Sequence, residues 1–411
     1  MDLYLSKPGV MSCAGNNIDQ LWNAVTSGTQ TNIKKVKACN DEEYFAARID
    51  DAALKPSGAR YDMKIMRIEN AALEQIADDV TAVRDKYGAD RIAVCIGSCD
   101  NGTEFSLANH RKYFAEGQFP QNYNIEIQGA DYVSTFVAEK FGLKGPAVTF
   151  ATACSSSAGA IIKAAEMIKA DLADAAVVGG IDIASDTTLI GFSALEAVSS
   201  EITNPFSRNR HGITLGDGAA FFVLTKEPLT VVEPVETTLS SSGLTRGSIR
   251  LLGWGESADA YHMTSPDPSG AGAEKAIRRA MENAGVSASD VGYINLHGTG
   301  TKFNDSMEGK AVASIFGEKT VPVSTTKPVT GHTLGAAAAL EAAICWKALV
   351  ENKGKDNIKL PVQVWDGERD EEIPELNIVD GKSSAAKGQL KVCLSNSFAF
   401  GGANACLVLG L

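Results

Sequence analysis

The stretch VTFATACSSSAGAI, residues 148–161, sets Cys154 between an apolar strand-like run and a small-residue run of helical character. A strand ending at FATA and a helix beginning at SSSAGAIIKAAEMI put the sulfur on a tight strand-to-helix turn. There the partial positive charge of the helix N-terminus favours thiolate over thiol, and small neighbours leave the sulfur accessible, the setting of an activated nucleophile. Free cysteine is also among the most buried residue types, so an inert core position is the competing reading of this stretch alone. Two of the five histidines stand in Gly-rich, polar segments: His297 in NLHGTGTKFND and His332 in KPVTGHTLGAAAALEAA. Glycine beside a histidine lets the backbone approach a substrate, so either ring could be catalytic, and either could equally be structural. Lys327, five residues before His332, and Glu308, eleven after His297, could add a charged pair.

These residues need a scaffold, and the pattern supplies one. Apolar runs alternate with helical patterns: RIAVCIG, ADYVSTFVAEKFG, PAVTFATA, the segment after Cys154, then DAAVVGGID. The second part of the chain repeats the rhythm with EKAIRRAMENAG, VGYINLHG, GKAVASIFG, VPVSTT, LGAAAALEAAICWKALV and VCLSNSFAFGGANACLVLG. Strands this apolar between amphipathic or Ala-rich helices predict an α/β sheet buried on both faces. Two halves of similar grammar follow, residues 1–228 and 249–411, with no repeat visible residue by residue. Between them, 229–248 is Ser/Thr-rich and lacks a helical period, which predicts a surface insertion or linker.

Composition excludes several classes. A formal charge of -12 argues against nonspecific nucleic-acid binding, which needs excess Lys and Arg. The 8 cysteines show no repeated short spacing and the histidines do not cluster, so neither a disulfide framework nor a metal site is expected, and a reducing cytoplasm fits. No basic-then-apolar leader opens the chain, and Glu341 and Lys347 interrupt the longest apolar run, so no membrane span is expected. GITLGDGAAFF lacks the Lys-Ser/Thr ending of a phosphate loop. A local basic face is expected where Arg60, Lys64 and Arg67 fall at i, i+4 and i+7.

Taken in order, TACSSS, NLHGTGTKFND, TTKPVTGHTLGAA and NSFAFGGANA resemble the β-ketoacyl-acyl-carrier-protein synthases, the elongating condensing enzymes of the thiolase superfamily. The resemblance runs from the first strand to the last, apart from the 229–248 insertion. It implies a five-layered αβαβα thiolase-like fold of two similar halves, usually a homodimer. It also implies a 3-oxoacyl synthase of fatty-acid elongation, which joins a malonyl unit, with loss of carbon dioxide, to an acyl group held on Cys154 and so lengthens the fatty acyl chain by two carbons. On this pattern His297 and His332 are the paired histidines, Lys327 the active-site lysine and Glu308 its partner carboxylate. Thr299 and Thr301 match hydroxyls that hold the phosphopantetheine arm. Phe400 matches a gating phenylalanine whose backbone N–H joins that of Cys154 in an oxyanion hole. Arg60, Lys64 and Arg67 lie in the segment that resembles the carrier-docking helix. No cofactor is implied beyond the carrier's arm. The retained cysteine favours an enzyme over a noncatalytic chain-length partner, and the two histidines favour decarboxylative elongation over thiolase exchange.

Three departures bear on the substrate. Asp100, in CIGSCDNGTEF, stands where the family usually has an apolar residue of the acyl channel; the serines of ACSSS are more usual in polyketide-type ketosynthases; and ANHRKYFAEGQFPQNYNIEIQG reads as a short, polar loop. The alternative is therefore a ketosynthase of a specialised polyene or polyketide pathway, paired with a noncatalytic homologous subunit.

Overall fold

Two sheets of matching topology sandwich a pair of buried helices. The computed structural model describes the chain apart from residues 31, 61, 122, 230–248 and 382–388, so most of the expected 229–248 insertion lies outside the described residues. In the first sheet the order is Ala147–Phe150, Ile92–Gly97, Ala175–Asp182, Gly218–Thr225, Gly9–Ser12. The first three run parallel and the last two join antiparallel. The second sheet repeats this as Pro322–Ser324, Tyr293–Asn295, Val392–Phe398, Ala403–Gly410, Ile249–Ala258, again three parallel and two antiparallel. The short strand Tyr4–Leu5 pairs with Ile249–Ala258 on one side and Gly218–Thr225 on the other, which hydrogen-bonds the two sheets into one.

Alternation along each strand builds three separate cores, because successive side chains point to opposite faces. In Ile92–Gly97, Ala93 and Cys95 face the central helices, whereas Ile92, Val94 and Ile96 face the outer helices Lys64–Glu74, Ala77–Tyr87 and Tyr132–Phe141. In Val392–Phe398, Cys393 turns inward while Val392 and Leu394 turn outward, toward Ala271–Ala284 and Lys302–Phe316. The central layer is the helix Ser156–Lys169 beside Ala337–Asn352. A helix buried all round has no polar face, which accounts for the small and apolar sequences SSAGAII and AAALEAAICW. Layers are thus helices, sheet, helices, sheet, helices, the expected αβαβα arrangement. The segment read from sequence as a polar loop starts inside a helix, Thr103–Glu116, which Gly117 ends in the left-handed region, and closes with the single turn Ile125–Gln128.

Candidate active site

Cys154 lies between the strand Ala147–Phe150 and the helix Ser156–Lys169, in the single turn Ala153–Ser155. The residue before it, Ala153, is held at φ +50°. A residue with a Cβ adopts this conformation only where its surroundings enforce it, and such strain concentrates at functional sites. The enforcement is visible: the Ala153 carbonyl accepts from Ser156 Oγ at 2.6 Å and from Cys99 Sγ at 3.2 Å, and Ser156 Oγ also accepts from the Thr152 N–H at 2.9 Å. The helix can sit this close because Gly97 and Gly180 lie under it; a Cβ on Gly97 would fall 2.2 Å from Ser157 N, and one on Gly180 2.7 Å from Ser157 Cβ.

Both histidines converge on the sulfur. His332 Nε2 is 3.0 Å from Cys154 Sγ, and the His297 and His332 rings meet edge to face with centroids 5.4 Å apart. Phe398 packs on the far side of His297, 6.2 Å between centroids. The backbone N–H of Phe400 lies on the sulfur's side of the cavity and favours its charged form. Cys154, both histidines, Thr299, Thr301 and Phe400 all line one cavity of about 490 Å³, with Leu195, Lys302 and Phe303 also in its wall. The Thr299 and Thr301 hydroxyls lie 3.0 Å apart, and Thr203 anchors their loop through a 2.9 Å bond to the Thr299 carbonyl.

Charge explains the protonation state. Burial pushes the Cys154 thiol up to about 12, with Lys327 and the Phe400 N–H pulling the other way. Burial thus opposes the expected thiolate, and a base in reach of the sulfur assists its ionisation. Burial first, and Lys327 second, hold both imidazoles well below the ordinary histidine value, so both are neutral. A neutral ring has one lone pair and one N–H, so His332 can accept the thiol proton.

The expected pairing of Lys327 with Glu308 is corrected. Lys327 Nζ donates to Glu341 Oε1 and to the His297 carbonyl. Glu308 instead clamps backbone: its two oxygens accept the N–H groups of His297 and Gly298, each at 2.8 Å, and Asn396 donates to it at 3.2 Å. The carboxylate nearest in the motif thus orients the histidine, while the one that balances the ammonium comes from the central helix. A signal was present, since Glu341 is a lone acid inside the longest apolar run. Asp305 was also missed; it accepts from the N–H groups of Phe206 and Gly300, fixing the loop that carries the two threonines.

Asp100 is corrected as well. Its carboxylate accepts from Tyr132 Oη and the Gly102 N–H, both at 2.7 Å, so it is satisfied within the protein, and it is absent from the cavity wall. The expected basic face does not form either. Lys64 turns inward to the buried Asp217 at 2.7 Å; Arg67 is held by Asp62 and Asp51; Arg60 precedes the helix, which starts at Lys64, and pairs with Glu126. Period alone could not reveal the acids that capture these cations.

Comparison with known proteins agrees with this geometry. Residues 9–228 match the family description "Beta-ketoacyl synthase, N-terminal domain", and 249–360 match "Beta-ketoacyl synthase, C-terminal domain". The 3-oxoacyl-[acyl-carrier-protein] synthase 2 of Coxiella burnetii is 32% identical over 420 residues, 98% of this chain and 96% of that one. The protein of the same name from Vibrio harveyi is 32% identical over 421 residues, covering 97% and 96%. Among solved structures, a ketosynthase (ApeO) in complex with its chain length factor (ApeC) from Xenorhabdus doucetiae superposes with a TM-score of 0.85 at 35% identity, covering 100% of this chain and 98% of that one. The ishigamide ketosynthase/chain length factor gives 0.82 at 25% identity, covering 100% and 98%.

Proposed function

Because the chain belongs to the β-ketoacyl synthase family, matched in both of that family's domains, we propose that it is a 3-oxoacyl-acyl-carrier-protein synthase that lengthens a carrier-bound acyl chain by two carbons. The observation that carries this reading is the convergence of His332 and His297 on Cys154 within one cavity. As sulfur attacks the acyl thioester, its proton passes to His332 Nε2 and from there to the departing pantetheine sulfur, and the acyl group stays on Cys154. The N–H groups of Cys154 and Phe400 face the developing oxyanion, and such a donor contributes about 3–4 kcal/mol in hydrolases. A malonyl thioester then loses carbon dioxide while both neutral imidazoles donate an N–H to its enolate oxygen, His332 having shifted to its Nε2–H tautomer once the cysteine is acylated, and the carbanion attacks the acyl-cysteine carbonyl. Sulfur departs as thiolate and regains its proton from solvent, and the 3-oxoacyl group leaves on the carrier. Thr299 and Thr301 hold the pantetheine arm at the cavity wall. No further cofactor enters, and a reducing cytoplasm suits the reactive thiol.

A homologous chain completes the assembly in this reading. Among the described residues, Ala147–Phe150 pairs on one side only, and the adjoining Ala151 and Thr152, close to the nucleophile, are exposed. Phe114 and Ile125, elsewhere in the same half, are also largely exposed. A second copy covers this edge in the first reading. The second reading, a polyene or polyketide ketosynthase with a noncatalytic partner, draws on the 35% identity to a ketosynthase solved with its chain length factor. Incubation with an acyl carrier and malonyl carrier tests the proposal. Carbon dioxide release with a 3-oxoacyl product two carbons longer is expected; acylated Cys154 that never yields that product contradicts it. Saturated against conjugated acyl chains then separates the two readings.

A further inference from the structure

Asp182 ends the strand Ala175–Asp182, is 1% exposed, and carries four hydrogen bonds on one carboxylate. Oδ1 accepts from Ser98 Oγ at 3.2 Å and the Asp100 N–H at 3.0 Å. Oδ2 accepts from the Cys99 N–H at 2.9 Å and the Gly335 N–H at 2.6 Å. The first three donors belong to the loop after the strand Ile92–Gly97, in the first half of the chain. The fourth belongs to the turn Leu334–Ala336, three residues past His332, in the second half. Cys99 continues the connection, since its Sγ donates to the carbonyl of Ala153, the residue before the nucleophile. A single side chain thus ties the turn that follows His332 to the loop that braces Cys154.

We propose that Asp182 is a positioning residue for acyl transfer: it docks the His332 turn against the Cys154 turn and so holds Nε2 within reach of the sulfur. Nothing else about Asp182 requires a carboxylate there, because it neither lines the cavity nor pairs with a cation. The fit is close on both sides. A Cβ on Gly335 would lie 2.6 Å from Asp182 Oδ2 and 2.9 Å from Cys99 N, so only glycine lets the second turn come this near. Asparagine at 182 would aim an amide N–H₂ at donors in place of one acceptor oxygen, and the His332 turn would withdraw from them.

The inference rests on the reading of Cys154 and His332 as the reacting pair, and alkylation by iodoacetamide tests their geometry without any carrier substrate. In folded Asp182→Asn, Cys154 alkylation near neutral pH is expected to slow about tenfold. The turnover number should fall about 100-fold, as a displacement on the order of 1 Å does elsewhere, with KM for the carrier unchanged. Direction matters: Asp182 is among the groups that raise the thiol, so loss of its charge alone would speed alkylation. Asp182→Glu, which keeps both acceptor oxygens, should recover at least tenfold of the lost turnover. If Asp182→Asn fails to fold, Gly335→Ala disturbs the same contact from the other side and is read in the same way. Alkylation at or above the wild-type rate in the folded variant overturns the proposal, as does Asp182→Glu that recovers nothing. Slowed alkylation in a protein that makes no 3-oxoacyl product would leave the positioning role standing and remove the proposed reaction instead.

Discussion

The same turn is built twice, once in each half. Thr152-Ala153-Cys154-Ser155-Ser156-Ser157 and Thr333-Leu334-Gly335-Ala336-Ala337-Ala338 share one backbone path. Each has its second residue in the left-handed region, Ala153 at φ +50° and Leu334 at +51°, then a single 3₁₀ turn, then a buried central helix. The third position differs. In the first half it is Cys154, the proposed nucleophile, with its side chain in the cavity; in the second it is Gly335, pressed against Asp182 where no side chain fits. The imidazole that faces the Cys154 sulfur instead comes from just before the repeat, at His332, where the first half has Ala151. A duplicated backbone device therefore does not duplicate its contacts: one copy presents a thiol to the cavity, and the other packs a glycine on Asp182 beside the histidine that faces that thiol.

Alanine at the third position of both turns sharpens this contrast most. Cys154→Ala should abolish acyl transfer, a loss of at least about 10⁴-fold, while the thermal midpoint stays near that of the wild type. Gly335→Ala keeps the thiol and should lose about 1–3 kcal/mol to overpacking in denaturant titrations. Between these lies Glu341→Ala, which leaves Lys327 uncompensated in the core and should cost about 3–5 kcal/mol by the same titration. A smaller effect is expected from Ala153→Gly, which relaxes the left-handed residue of the first turn only; stability should shift by no more than about 1 kcal/mol. The smallest is an absence of change. NMR of the ring nitrogens should show neither His297 nor His332 taking up a proton as pH falls from 8 to 6, since both values are depressed. Unfolded histidines protonate near 6.5, so these rings favour the fold fully above that value, and the contribution is lost as pH falls below it.

The cavity lining was legible where a residue reaches the cavity from its own motif. Cys154, His297, His332 and the two threonines stand in segments whose glycines and small residues already suggested close approach, and alternation of apolar runs pointed to a sheet buried on both faces. What was not legible depends on distance in sequence. Glu308 sits in the motif, yet Lys327 reaches Glu341 on the next helix, and period cannot say which of two acids a buried ammonium meets. Lys64 fits a basic stripe until the fold brings Asp217 beneath it. The internal repeat escaped notice because its turns share only a threonine and small or apolar residues; what is conserved between them is a backbone angle. Asp182 reads as an ordinary strand end until three other segments deliver their donors to it.

The most direct test of the account is the mass of the intact protein after exposure to carrier-bound acyl thioesters, saturated and conjugated, with Cys154→Ala alongside. A gain of one acyl group on the wild type, mapped to Cys154 and absent from the variant, is the expected result. An acyl group that appears equally on Cys154→Ala, or on neither protein, would contradict Cys154 as the acyl acceptor and return the chain to the role of a noncatalytic partner.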